Sequence, residues 1–240
     1  GAIVLSSAAG GVTLDVVEST GSASITVTAT GAAVSEADNS ARVGASGSTS
    51  TLIVTAGTTI GGAGAAALNT DVGVLRASAG GAIDSAEATG LQLGDGTSNV
   101  TSSGGSITID TTNGAITTGN TVTTTGGDSG ITLTSGGTNG IVLSHTVTAD
   151  GAGAIDVNSG AGFTLDDTIV LSSTSGAITI DTTGANALAV NGNVTTGGAG
   201  TITLTGSDAI TMDVSSLVQT AAGAIVLSSA AGGVTLDVVE

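Results

Sequence analysis

Residues 104–137 read GGSITIDTTNGAITTGNTVTTTGGDSGITLTSGG, and their alternation of apolar and polar residues indicates short β-strands. In such a strand Ile107 and Ile109 face one side, whereas Thr108 and Asp110 face the other. Glycine and asparagine, which favour bends with positive φ, separate each run from the next. The segment therefore predicts short strands joined by tight corners, with the aliphatic side chains on the inside.

The same pattern returns at a regular interval along the second half of the chain. Strong runs begin at 107, 131, 155, 178, 202 and 225, so successive starts lie 24, 24, 23, 24 and 23 residues apart. Two weaker sets of runs fall between them, the first at Ile116, Ile141, Phe163, Leu188 and Ile210, the second at Val122, Val147, Ile169, Val194 and Leu217. Three short strands per turn of about 24 residues predict an all-β fold, a parallel β-helix or β-solenoid. A β-sandwich is the alternative, but runs that recur in phase every third strand fit winding better than a meander.

A much longer repeat encloses this short one. Residues 1–18 and 223–240 both read GAIVLSSAAGGVTLDVVE, 222 residues apart. We interpret residues 1–222 as one full tandem-repeat unit of about nine coils, and residues 223–240 as the start of the next unit. At about 4.8 Å per stacked strand, such a unit extends about 43 Å. The expected partners are identical units stacked end to end, together with laterally packed copies.

The first part of the unit is less regular than the second. The spacing between the runs at Leu52 and Ile107 requires an extra or merged strand. We therefore expect a distorted coil or a small excursion near residues 61–75 or 85–101.

Composition excludes several classes of function. The chain has 41 glycines, one Phe, one Met and no Pro, Cys, Trp or Tyr, so its core depends on aliphatic residues. A net charge of −17, with two arginines and no lysine, argues against binding to nucleic acid or to anionic lipid. The same charge favours divalent cations as partners. No apolar run approaches the roughly 20 residues of a membrane span, which predicts no membrane insertion in this segment.

The segments 104–137 and 56–83, the latter reading AGTTIGGAGAAALNTDVGVLRASAGGAI, resemble the repetitive β-helical stretches of giant bacterial exoproteins of the filamentous-haemagglutinin and autotransporter-adhesin type. The resemblance extends over nearly the whole chain, but it is one of general sequence character and rests on no family-specific motif. It implies an extracellular, cell-surface location and an adhesive or structural role, and it carries no catalytic residue across. The identical long repeat differs from the divergent coils of most such proteins and favours a regular filament.

Two groupings of polar residues superficially suggest catalysis. Ser144 and His145 are adjacent, but neighbouring residues of a strand point to opposite faces, so a Ser–His hydrogen bond is not expected. Asp166 and Asp167, with residues 69–71 elsewhere, resemble the acidic motifs of pectin-cleaving β-helix enzymes. Those acids are expected to lie several coils apart, without the basic groups that an acidic sugar requires. The sequence therefore predicts no catalytic residue.

Acidic residues that follow strands are the candidates for binding metal. Carboxylates suit calcium, and the weak candidates are Asp110, Asp166, Asp167 and Asp181. The glycine-rich nonapeptide repeat of known calcium-binding solenoids does not recur, so these acids also fit solvated turns. The expectation is that no cofactor is required and that calcium is possible.

Threonines at alternate positions, such as Thr132 and Thr134, are expected on the outer surface. Ice-binding solenoids use flat rows of this kind, but Asp, Ser and Val interrupt the rows here, so stacking between strands is the better explanation. Arg42 and Arg76 are expected to pair with acids, either within the unit or across a contact between fibres. Taken together, these patterns favour a mechanical rod without catalysis, in an extracellular filament or giant adhesin. The alternatives are a calcium-dependent adhesin or matrix protein, a polysaccharide-active enzyme and an ice-binding solenoid.

Overall fold

The computed structural model describes residues 1–19, 22–38, 42–44, 49–62 and 67–240. These residues form parallel strands and no helix, wound into a solenoid of about nine turns with about 24 residues per turn. The predicted β-solenoid, with three strands per coil, is therefore confirmed.

The described residues form thirty short strands. In the first part of the chain these are β1 (Ile3–Ser7), β2 (Val12–Leu14), β3 (Val16–Val17), β4 (Ile25–Ala29), β5 (Val34–Glu36), β6 (Arg42–Gly44), β7 (Thr51–Ala56), β8 (Leu68–Asp71) and β9 (Val74–Ala79). The next are β10 (Ile83–Glu87), β11 (Leu91–Leu93), β12 (Val100–Ser102), β13 (Ile107–Thr111), β14 (Ile116–Thr118), β15 (Val122–Thr124), β16 (Ile131–Ser135), β17 (Ile141–Leu143), β18 (Val147–Ala149), β19 (Ile155–Ser159), β20 (Phe163–Leu165) and β21 (Val170–Ser173). The last are β22 (Ile178–Thr182), β23 (Leu188–Val190), β24 (Asn193–Thr196), β25 (Ile202–Gly206), β26 (Ile210–Met212), β27 (Leu217–Thr220), β28 (Ile225–Ser229), β29 (Val234–Thr235) and β30 (Val238–Val239).

Each regular coil consists of one five-residue strand, called here the long strand, followed by two shorter strands. In β16 the side chains of Ile131, Leu133 and Ser135 are buried, while those of Thr132 and Thr134 face outward. The strand pairs in parallel with β13 on one side and β19 on the other, isoleucine on isoleucine. Because every coil repeats this register, the buried aliphatic side chains form one continuous core along the axis.

The position of the long strand changes once along the solenoid. In the first coils β1, β4, β7 and β9 stack on one another in an 18-stranded sheet. The next long strand, β10, lies instead in a 10-stranded sheet, where it pairs with β8, and Ile83 bridges to Ile60. From β10 onward every long strand stays in that second sheet. The predicted extra strand is therefore present, since β9 and β10 are two consecutive long strands.

The two short strands β11 and β12 stack side by side on the single strand β9. Leu93 pairs with Leu75 and Val100 pairs with Ala77. Residues 94–99 loop out between the two short strands, closed by an antiparallel bridge between Asp95 and Ser98. This loop confirms the excursion expected within 85–101. Residues 63–66, in the other expected region, lie outside the described residues.

In two coils the residue of the third strand that faces the core is not the one at which the sequence pattern placed the run. The residues facing the core are Leu171 and Val218, not Ile169 and Leu217. In both coils a turn precedes the strand, with positive φ at Thr168 and Ser215. In each of these corners the chain takes six residues from one inward side chain to the next, from 165 to 171 and from 212 to 218, against four from 143 to 147 in a regular coil. Phe163 and Met212 are both buried in the core.

Within the described ranges, no helix has the length and the apolar character required to cross a bilayer.

Candidate functional site

A column of glycines forms the corner that precedes each long strand of the second sheet. A β-carbon at Gly176 would collide with the carbonyl oxygen of Gly153 in the coil below, and one at Gly200 would collide with that of Gly176. The only side chain in this column is that of Ser129, which lies in a longer corner containing Gly126 and Gly127 at positive φ. The full column consists of Gly81, Gly105, Ser129, Gly153, Gly176, Gly200 and Gly223. Successive coils can therefore approach closely at this corner because every position in the column except Ser129 lacks a side chain.

Buried hydroxyl groups satisfy the backbone at two corners of each coil. At the corner before the long strand, Ser102 donates to the carbonyl of Gly105 at 2.6 Å and Ser173 donates to that of Gly153 at 2.7 Å. At the corner after the long strand, Thr111 donates to Gly114 at 2.5 Å and Ser159 donates to Gly162 at 2.8 Å. These hydroxyl groups were not predicted from the sequence. They can be recognised because they continue the inward alternation of their strands at its last position.

Two inward positions in the first part of the chain carry carboxylates, and one of them replaces the hydroxyl at this corner. Glu87 takes the inward place that Thr111 has in the next coil, and its side chain accepts hydrogen bonds from the backbone N–H groups of Val72 at 3.1 Å and Thr89 at 3.0 Å. Glu36 is also inward and accepts hydrogen bonds from the backbone and the side-chain amide of Asn69. Burial raises the pKa of both carboxyl groups, and these hydrogen bonds partly offset the effect. The hydrogen bonds satisfy these two inward carboxylates.

Burial also raises the pKa of Asp84, and the nearby carboxylate of Asp110 adds to the effect. A raised pKa means that folding favours the protonated form. The contribution of Asp84 to the stability of the fold therefore becomes less favourable as the pH rises through its folded-state pKa. We expect Asp84→Asn to stabilise the protein at pH 7, by less than about 1 kcal/mol because solvent screens the site. The gain should vanish near pH 3. Urea denaturation at both pH values measures it, and a loss of stability at pH 7 would contradict the assignment.

Asp150 provides a control for Asp84, because the pKa of its carboxyl group is shifted in the opposite direction. Hydrogen bonds from the backbone N–H groups of Gly151 at 2.8 Å and Gly126 at 3.2 Å lower the pKa of its carboxyl group. Its contribution to stability is therefore present at neutral pH and is lost as the pH falls through the folded-state pKa. Asp150→Asn is expected to lower the melting temperature at pH 7, and its difference from the parent chain should shrink as the pH falls through the folded-state pKa of Asp150. A pH-independent difference would show that charge is not the cause.

The calcium candidates do not converge on one site. Asp110 and Asp181 occupy the same outward column, but Thr134 and Asn158 lie between them in the intervening strands. Asp166 and Asp167 follow β20 on another side of the coil. The described residues contain no group of three acidic, histidine or cysteine side chains able to hold a metal ion. Calcium binding by these four residues stays a prediction.

The polar residues near Ser144 do not form a catalytic triad. The Ser144 hydroxyl donates to Asp166 at 2.5 Å, whereas the His145 Nδ1 lies 3.0 Å from the carbonyl oxygen of Thr118. The backbone N–H groups of Ser144 and His145 both donate to the Thr118 hydroxyl. Aspartate thus holds the serine and not the histidine, so the arrangement that activates a serine nucleophile is not assembled here.

The acidic residues considered for sugar cleavage also lie apart. Asp71 ends β8, whereas Asp166 follows β20. Strands β10, β13, β16 and β19 stack in succession above β8, so several coils separate the two carboxylates.

Both arginines pair with acids within the unit, one of the two arrangements expected from the sequence. Arg42 pairs with Glu18 on an exposed surface, and Arg76 pairs with Asp95 in the loop 94–99. The second pair holds the excursion against β9, and the Asn120 side chain donates to the Asp95 carbonyl at 2.7 Å.

Exposed apolar side chains are concentrated at the two ends of the described solenoid. In β1 and β28 the inward positions are only half-buried, because each strand has one stacking neighbour instead of two. The exposed large apolar residues of the first and last coils are Val4, Val16, Val226, Val234, Leu236, Val238 and Val239. These edges present unpaired backbone groups beside apolar side chains, which suits the stacking of another coil.

Comparison of the chain with protein families, with curated proteins and with solved structures returned no match.

Proposed function

We propose that the chain is a structural repeat of an extracellular filament or giant cell-surface adhesin, and that it acts as a mechanical rod without catalysis. One observation carries the proposal. Residues 223–240, identical to residues 1–18, fold as a coil that stacks in register on β25–β27. The segment with which a following unit would begin therefore already extends the solenoid.

The energetics support a long rod over a single short domain. A buried Ile, Val or Leu contributes on the order of 1.5–3 kcal/mol, whereas ordering each residue costs about 1.5 kcal/mol. One isolated coil cannot be stable on these terms. Stacked coils share backbone ladders and aliphatic contacts, so stability accumulates along the axis.

Electron microscopy of a chain with two units tests the rod. Joining residues 1–222 to residues 1–240 should give straight particles about 86 Å long, against about 43 Å for one unit, at about 4.8 Å per coil. Two globules joined by a flexible link would contradict the proposal. Labelling of intact source cells with an antibody against the chain tests the extracellular location, and staining that requires permeabilised cells would contradict it.

A purely mechanical rod has no need of calcium. We therefore expect the melting temperature in 1 mM calcium, at a concentration of about 10⁻³ M typical of extracellular sites, to equal that in excess EDTA. A clear fall in EDTA would favour the alternative of a calcium-dependent adhesin or matrix protein. In that case, replacing Asp110 or Asp181 by asparagine would identify the column responsible, with Asp15→Asn, at an exposed position in the first coil, as the control outside the candidate set.

A further inference from the structure

The two identical 18-residue segments occupy different sheets of the solenoid. Ile3–Ser7 forms a long strand in the 18-stranded sheet, on which β4 stacks. Ile225–Ser229 has the same sequence but forms a long strand in the 10-stranded sheet, where it stacks on β25. Local sequence is therefore not what assigns this segment to a sheet.

The long strands move from the 18-stranded sheet to the 10-stranded sheet at the consecutive long strands β9 and β10. Only residues 80–82 separate them, which is enough for one corner and too few for the two short strands of a regular coil. As a result, β10 stacks on the short elements at Ile60 and β8, while β11 and β12 stack on the long strand β9. The coil pattern of long, short and short strands is thus turned about the axis, once per 222 residues.

The register at a junction between units follows from pairings already present. Ile225 pairs with Ile202 below it, and the equivalent residue of the first copy, Ile3, pairs with Ile25 above it. On the outer face, Val226 pairs with Thr203 and the equivalent Val4 pairs with Thr26. One coil can therefore carry both sets of contacts, and the isoleucine column continues through the junction without a break.

We infer that, in a tandem array, the unit that begins at residue 223 continues by stacking its following coils on residues 225–239, and that this whole unit is turned about the solenoid axis relative to the unit before it, so that its first long strands lie in the opposite sheet. This inference rests on the proposed function, because it concerns units that stack end to end. The turn repeats in every unit, so the pattern returns after two units. The outward Thr and Asp columns of the long strands then lie on one side of the filament in one unit and on the opposite side in the next. A lateral partner that recognises these columns therefore binds on both sides of the filament.

Disulfide formation in the single chain tests the turn itself. The chain has no cysteine, so introduced thiols have no competitor. Ser78 pairs with Thr101 on the outer face, within the Cα separation that a disulfide needs. The double variant Ser78→Cys with Thr101→Cys should cross-link nearly completely on mild oxidation. The matched variant Ser78→Cys with Ala86→Cys would cross-link only if β10 stacked on β9, and that result would overturn the inference.

Electron microscopy of the two-unit chain tests the consequence for the array. Thr132→Cys in both units, labelled with gold, should place the two particles about 43 Å apart along the axis and on opposite sides of the rod. Labels at Thr108 and Thr203, which lie in one outward column within a unit, calibrate the gradual twist of the solenoid. If the two labels lie on the same side of the rod after this calibration, the inferred turn between units is wrong, but the proposed rod is not contradicted. A chain that cross-links at 78 and 101 but forms two separate globules overturns the proposed rod and not the internal turn.

Discussion

Phe163→Ala is expected to lower the free energy of unfolding by about 3–5 kcal/mol. Phe163 is fully buried and stacks between Ile141 and Leu188 in consecutive coils. Alanine would leave a cavity that cannot collapse easily, because the backbone ladders on both sides fix the spacing between coils. Loss of protection from amide hydrogen exchange in β17, β20 and β23 measures the effect where it arises.

Phe163→Leu is the matched control. Leucine and isoleucine fill the same position in neighbouring coils, so the smaller side chain fits the column, and a loss below about 1.5 kcal/mol is expected. A loss equal to that of the alanine variant would show that the aromatic ring has a role beyond filling space. Equal protection in both variants and the parent chain would show that the core tolerates a void at this layer.

Gly176→Val is expected to be at least as damaging, with a loss of about 3 kcal/mol or more, at the upper end of overpacking effects. The new side chain would collide with the carbonyl oxygen of Gly153. That oxygen also accepts the hydrogen bond of the buried Ser173 hydroxyl, and the Gly176 N–H donates to the same hydroxyl at 2.8 Å. Valine would therefore separate two coils and break a buried hydrogen-bond network at once.

Gly96→Val provides the comparison for this variant. A β-carbon at Gly96 meets no atom within 4 Å, and its φ is not in the left-handed region. Denaturant unfolding of the two variants should show a large loss for Gly176→Val and almost none for Gly96→Val. Similar losses at both positions would show that valine acts through backbone propensity and not through the close approach of coils.

The regular half of the fold was predictable because it depends on local rules. Alternation in residues 107–111 fixes which side chains face the core, and glycine before each long strand marks the corner. The inward residue could not be placed from the alternation where a corner is two residues longer than in a regular coil. Thr168 and Ser215 adopt positive φ although neither is a glycine. The local sequence therefore gave no sign that Leu171 and Val218 would be the residues that face the core.

The internal polar groups were harder to predict than the core. Glu87 occupies an inward position that is filled by the hydroxyl-bearing Thr111 in the next coil. A charged residue in a strand is ordinarily assigned to the surface, whatever its place in the alternation. Its burial depends on N–H groups supplied by Val72, in the neighbouring coil, as well as by Thr89. A partner from another coil is a tertiary feature, and strand alternation carries no information about it.

The sequence by itself determined the length of the coil, its three strands and the inward phase of most of them, since these follow from chain geometry within a few residues. Only the tertiary structure decided which strands stack. The identical segments at 3–7 and 225–229 lie in different sheets, because the partner of a parallel strand is set by the coil a full turn away. Residues 74–87 change that alignment for every coil that follows them.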